Sequence, residues 1–216
     1  MTRQQRLVLV VAILAALVSF LDATVINVAL PAISRDLGGE LSTQQWVVDA
    51  YLITLGSVIL LAGSLSDVYG RKKILLIGLI GFGVASLLCA AAPTVEFLIV
   101  ARALQGIAGA LLVPSSLAII IATFKGSAQS RAIGTWTAFT SVANIAGPIL
   151  GGVLVDQVSW RLIFGINVLP IVVTVILLSR LETDAHHAPG DVQRVAAAIE
   201  HARVPVQRAI RVGAAH

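Results

Sequence analysis

Apolar residues run along this chain in six blocks, separated by short polar or glycine-containing stretches. Each block is close to or above the roughly 20 residues an α-helix needs to cross a hydrocarbon layer. The blocks cover residues 7–33, 44–66, 74–92, 97–124, 132–155 and 162–179. The first contains one charge, Asp22, the second has Asp49 near its start, the fourth contains only Arg102, and the rest have none. The pattern predicts an all-α integral membrane fold, a bundle of six transmembrane helices over residues 1–180. Its short connectors force consecutive helices to lie antiparallel. Chain breakers fall near the joints: Pro31 towards the end of the first block, Gly38 and Gly39 in the first connector, Pro93 after the third block.

Composition agrees. Of 216 residues, 57% are hydrophobic and 12% charged, with a mean hydropathy of +0.94; soluble domains carry roughly 25% charged residues. The net charge of +4 is no nucleic-acid signature, because the basic residues fall almost entirely between apolar blocks. Arg3, Arg6, Arg71, Lys72, Lys73, Lys125, Arg131 and five tail arginines lie on one side of the alternating topology, against Arg35 and Arg161 on the other. The basic side is expected in the cytoplasm, with both termini inside. Arg3 and Arg6 ahead of an apolar run resemble a signal peptide, but with five more spans following, an uncleaved first helix is expected.

Residues 181–216 have another character, with all four histidines and scattered Ala, Arg and Val. A membrane-surface helix over 192–212, a disordered cytoplasmic tail and an out-of-frame extension all fit that composition.

Several chemistries find no residues to carry them. No histidine lies in a block, no His/Cys/carboxylate group has metal-ligand spacing, and no Walker-type glycine loop occurs. The lone Cys89 forms no internal disulfide. No metal and no cofactor are expected, and an ATP-driven pump finds no support.

The intramembrane polar residues remain. An ionisable side chain inside the hydrocarbon costs at least about 2.5–3.5 kcal/mol, so it needs a partner, water or a function. Asp22 and Arg102 fall in the outward half of antiparallel spans, offset in depth by roughly 6–8 Å, which a long arginine can bridge. They suit either a static buried pair or a carboxyl group that exchanges a proton. Asp49, nearer the interface, reads as a solvated helix-end acid. Arg102, Gln105, Gly106 and Gly109 form a stripe at three- and four-residue spacing, avoiding lipid and facing a helix or a cavity. Ala143, Gly147 and Gly151 lie at four-residue intervals, with Asn144, Pro148 and Gly152 beside them, so that another backbone can approach closely. Asn27, Gln105, Gly109 and Asn144 are the candidates for facing a cavity.

These segments together resemble the major facilitator superfamily, specifically its fourteen-span drug:proton antiporters. GSLSDVYGRKK, with Gly63, Asp67, Gly70, Arg71 and Lys72, looks like the signature between helices 2 and 3, departing from it at Val68 where a basic residue is common. LDATVINVALP resembles the helix 1 motif that supplies an acid, here Asp22; RALQGIAGA resembles the helix 4 motif whose arginine, here Arg102, is associated with proton coupling. Ala143 to Gly152 resembles the helix 5 antiporter motif, and WRLIFGINVLP the start of helix 6.

The resemblance spans roughly residues 7–180. It implies one six-helix half built of inverted three-helix repeats, in a bacterial cytoplasmic membrane, with the substrate cavity lying between two halves. It also implies proton-coupled export of small amphipathic solutes. The expected partners are the bilayer, such a solute and a second six-helix half, homodimerisation being one source of it. A non-transporting membrane subunit or remnant is the competing expectation.

Overall fold

A computed structural model describes residues 1–181 of the chain. Within them are six helices and no strand: α1 (Arg3–Leu37), α2 (Leu41–Tyr69), α3 (Arg71–Ala90), α4 (Val95–Thr123), α5 (Gly126–Gln157) and α6 (Leu162–Ser179). Each is long and apolar enough to cross a membrane. The expected tail lies, from residue 182 on, outside the described residues.

The apolar blocks locate the helices but understate most of them. α1 has 35 residues, about 52 Å at 1.5 Å per residue, against a hydrocarbon layer of about 30 Å. Polar ends stay helical because local bonds hold them. Thr2 and Gln5 form a reciprocal capping box, and Thr94 caps α4 through the amide of Phe97. Pro31 does not end its helix as expected; α1 runs six residues further, and the Pro31 carbonyl accepts a bond from Arg35 Nε. Proline removes one amide donor, and next to the interface that loss is tolerated.

The stretch expected as the second loop is almost entirely helix. Gly70 alone, at φ 95°, separates α2 from α3. That left-handed backbone costs a glycine nothing, so the chain reverses in a single residue.

α1 and α4 form the centre of the bundle. α2 packs chiefly on α4 and α5 chiefly on α1, so the middle helix of each successive trio packs on the first helix of the other; α3 also packs chiefly on α4, and α6 packs on α1 and α3. Glycines make both exchanged contacts possible. A Cβ at Gly106 would overlap the Tyr51 carbonyl and Thr54 Oγ1 on α2, and one at Gly147 would overlap Thr24 Oγ1 on α1. Two apolar clusters result. One contains Val11, Ala15 and Val18 of α1, the other Val25, Ile26, Ala29 and Ile33. Between them, one turn of α1 is left for Asp22.

Candidate functional site

Asp22 occupies a core position. The buried stripe of α1 runs Val11, Ala15, Val18, Asp22, Ile26, Ala29 and Ile33, at helical three- and four-residue spacing. The matching stripe of α4 runs Val95, Leu98, Arg102, Gln105, Gly109, Leu112 and Ser116. Packing these stripes together puts a carboxylate and a guanidinium into an apolar interior. Both side chains have 0% exposure.

Burying two charges costs several kcal/mol per ion unless geometry and further hydrogen bonds offset it. Here every near neighbour of the carboxylate is a donor. Arg102 Nη1 donates to Asp22 Oδ2 at 2.5 Å. Asp22 Oδ1 accepts from Gln105 Nε2 at 3.0 Å and from Asn167 Nδ2 of α6 at 2.7 Å. Gln105 is held at both ends: its Oε1 accepts from Arg102 Nη1 at 2.7 Å and from Cys89 Sγ at 3.5 Å, while its Nε2 also donates to Ser86 Oγ at 2.9 Å. Arg102 Nε donates to the Val47 carbonyl at 3.2 Å. The guanidinium carbon lies 4.3 Å from the Tyr51 ring centroid and 5.8 Å from that of Phe164, within cation–π range. Tyr51 is fixed in turn by its hydroxyl, 2.8 Å from Ser19 Oγ and donating to the Ser19 carbonyl at 3.2 Å. Five helices thus meet at one ion pair.

The stripe on α4 divides by role. Gln105 and Gly109, expected to face a cavity, are sealed inside: Gln105 is part of the network, and a Cβ at Gly109 would stand 3.2 Å from the Tyr51 hydroxyl. The reason is that side chains of α1, α2 and α3 converge on that face: Asp22, Ser86 and Cys89 meet Gln105, and Ser19, Tyr51 and Phe82 surround Gly109. Asn27 and Asn144 are exposed on the bundle surface, and so is Asp49. On α5, Ala143, Gly147 and Gly151 are buried while Asn144 and Pro148 are exposed, as the two faces of that motif require; Gly152 is half-buried.

At the α2–α3 joint, Arg71 Nη2 lies 3.3 Å from Asp67 Oδ1, with both side chains well exposed. Gly63 is half-buried within α2. Lys72 Nζ donates to the Leu181 carbonyl at 2.6 Å, tying this joint to the end of α6. At the other end of the bundle, Asp36 accepts from Trp160 Nε1 at 2.9 Å and from Arg161 Nη1, and Arg161 Nη2 donates to the Ala92 carbonyl at 3.2 Å.

Asn167, Ser86, Tyr51 and Phe164 are the site residues that the sequence reading missed. For Asn167 a signal existed, since it is a strongly polar side chain in mid-span between Ile166 and Val168. The amides of Asn27, Gln105 and Asn144 were singled out, and this one was not.

Comparison with known proteins is consistent with this architecture. A family model described as Major Facilitator Superfamily matches residues 12–212. The methylenomycin A resistance protein of Bacillus subtilis is 44% identical over 162 residues, which are 74% of this chain and 35% of that protein. The multidrug resistance protein Stp of Mycobacterium tuberculosis is 41% identical over 180 residues, 83% of this chain and 33% of its own length. The chain therefore spans about a third of the length of the curated relatives it matches. Among solved structures, a bacterial homologue of the human lysosomal transporter Spinster superposes with a TM-score of 0.73 at 20% identity, covering 85% of this chain and 44% of that one. A D-xylose–proton symporter does so at 0.68 and 18%, covering 91% and 52%.

Proposed function

The chain belongs to the major facilitator superfamily, and from that premise we propose that it forms one six-helix half of a transporter exporting amphipathic organic solutes in exchange for protons. The observation carrying this reading is the fully buried Asp22–Arg102 pair with its cage of donors. As a purely structural device such a pair is often no more stabilising than well-packed apolar residues of the same volume. Retaining an acid at this depth gives the fold a group that changes charge when a proton arrives. The relatives are named for resistance and multidrug export, which supports drugs and similar solutes as the cargo class.

The same reading places the chain in a bacterial cytoplasmic membrane with both termini in the cytoplasm, as the lysine and arginine asymmetry favours. The exposed Asn27 and Asn144, in helices otherwise bounded by lipid-compatible surface, suit a face turned to the solute pathway or to the other half.

The test is gradient-driven dye export from vesicles containing a transporter that carries this half. Asp22→Asn keeps the size of the acid and, with one acceptor oxygen and an NH2, stands in for the protonated carboxyl, but it exchanges no proton. Export is expected to be lost while membrane insertion persists, and the parent's export is expected to be sensitive to an uncoupler. Export by the variant at the parent rate, still driven by the gradient, would overturn the role of Asp22. Dye movement no faster than from protein-free vesicles would favour a non-transporting subunit.

A further inference from the structure

We infer that Asn167 is the positioning residue through which α6 registers the proton on Asp22: its side-chain amide donates to the carboxylate and turns to accept from the acid. The inference rests on the proton-exchanging role proposed for Asp22.

It follows from counting donors and acceptors. A carboxylate accepts only, whereas a protonated carboxyl must also place an O–H on an acceptor. When a proton from water forms that O–H bond, the carboxylate charge is neutralised and Arg102 loses its counter-charge. Every group in contact with Asp22 is then a donor facing a new donor. One of them has to present an oxygen, because a buried donor left without an acceptor is costly. Arg102 has no acceptor. Gln105 has one, but it is already taken by Arg102 and Cys89, and its nitrogen also holds Ser86. Turning Gln105 would set its NH2 against Arg102 and give up the contact to Cys89 on α3. Asn167 has a single side-chain bond, the one to Asp22, and turning about its terminal torsion brings Oδ1 to the same place.

The surroundings of Asn167 permit the turn. It lines a cleft of about 190 Å³ between α1 and α6, whose other walls are Leu17, Val18, Leu21, Ile166, Leu169 and Pro170. Pro170, three residues on, leaves the Ile166 carbonyl without its helical donor, so α6 is locally softened beside the amide.

The titratable and charged groups around Asp22 are Arg102 of α4, Tyr51 of α2 and Cys89 of α3. The charged residues of α5, Arg131 and Asp156, lie near its ends, and α6 has none within its span. No other neutral group in the site has both a donor and a free acceptor end on the carboxylate.

Solid-state NMR on the 216-residue chain in lipid vesicles tests this directly. The chain has three asparagines, Asn27, Asn144 and Asn167, so ¹³C-asparagine labelling gives three side-chain carbonyl signals. Asn167→Gln removes one and assigns it without removing the amide. ¹³C-aspartate labelling reports protonation of Asp22, assigned by Asp22→Asn.

On acidification the Asn167 signal is expected to shift in step with that of Asp22, with Asn27 and Asn144 not tracking it. The Asn167 shift is expected to vanish in Asp22→Asn; if that variant misfolds, the correlation within the parent chain carries the test. An Asp22 that takes up a proton while the Asn167 signal stays put overturns the inference and leaves the proposed function standing. An Asp22 that never protonates while the chain remains folded overturns both.

Discussion

Arg102 Nη1 stands 2.5 Å from Asp22 Oδ2, and neither side chain is reached by solvent. Lysine at 102 keeps the charge but loses the planar fork that here serves Asp22, Gln105 and the Val47 carbonyl simultaneously. It also loses the flat stacking on Tyr51. Arg102→Lys is therefore expected to lower coupled export by at least tenfold, measured as the initial rate of gradient-driven dye efflux. A lysine variant exporting at the parent rate would show that a point charge suffices.

Arg102→Ala is expected to be far more damaging to stability than any change at the outer ion pair. Removing one partner of a buried pair leaves an uncompensated charge, at about 3–5 kcal/mol. Asp36 and Arg161 are each well exposed, and such solvent-screened pairs contribute little. Thermal unfolding in detergent, followed by tryptophan fluorescence, is expected to show a large fall in midpoint for Arg102→Ala and a shift of a degree or so at most for Asp36→Asn. Equal effects of the two would mean that burial does not set the cost.

How far the site was legible in the sequence depended on the kind of signal each residue gives. Asp22 and Arg102 announce themselves, since charge in an apolar block always requires an account. Helical periodicity correctly grouped Arg102, Gln105, Gly106 and Gly109 on one face. It does not say which neighbours that face meets, so Gln105 and Gly109 were assigned to a cavity where side chains of α1, α2 and α3 in fact meet them. Asn167 is neutral, and its importance arises from a contact with a residue 145 positions away. Helix ends were understated where polar residues stay helical, as at residues 126–131 of α5. Hydropathy measures what can enter the hydrocarbon, which is not where a helix stops.

The close approach of α5 to α1 gives a third expectation. A Cβ at Gly151 would stand 2.6 Å from Val25 Cγ2 and 3.1 Å from the Val25 carbonyl, and Gly147 is tighter still against Thr24. Gly147→Leu and Gly151→Leu are expected to force the helices apart and reduce both folded yield and export, whereas Ile149→Leu, on the exposed face of α5, is expected to be silent. Size-exclusion chromatography of the three variants distinguishes them; a monodisperse, active Gly147→Leu protein would place that face against lipid instead.

The Lys72–Leu181 bond predicts a local effect rather than a global one. Lys72 Nζ holds a carbonyl just past the end of α6, where backbone acceptors lack helical partners. Without it the last turn is expected to open more often. Arg180 is exposed there and provides a tryptic site. Lys72→Ala is expected to speed cleavage after Arg180 severalfold, while Lys73→Ala leaves it unchanged. Identical cleavage rates in the two variants would show that Lys72 does not clamp the end of α6.

Reconstituted by itself, the 216-residue chain is expected to insert into membranes but to move no solute as a monomer. In the superfamily the solute cavity lies between two bundles, and access alternates as one rocks against the other. Within the described residues of this chain Asp22 is fully buried, so the single bundle holds no open path for a solute past the acid. Its least covered helices are α2 and α5, which turn Leu60, Leu61, Phe139, Val142 and Ile145 outward together with the polar Asn144. Lipid satisfies the apolar residues, but an amide at that depth gains from a protein partner, so a second bundle is favoured over lipid on this face. Single-molecule photobleaching of labelled chains in liposomes, with proton-driven dye transport measured on the same preparations, separates the outcomes. Transport confined to vesicles holding two copies would identify self-pairing as the way this half acquires its partner. Transport from vesicles holding one copy would show that six helices suffice and would overturn the two-bundle requirement.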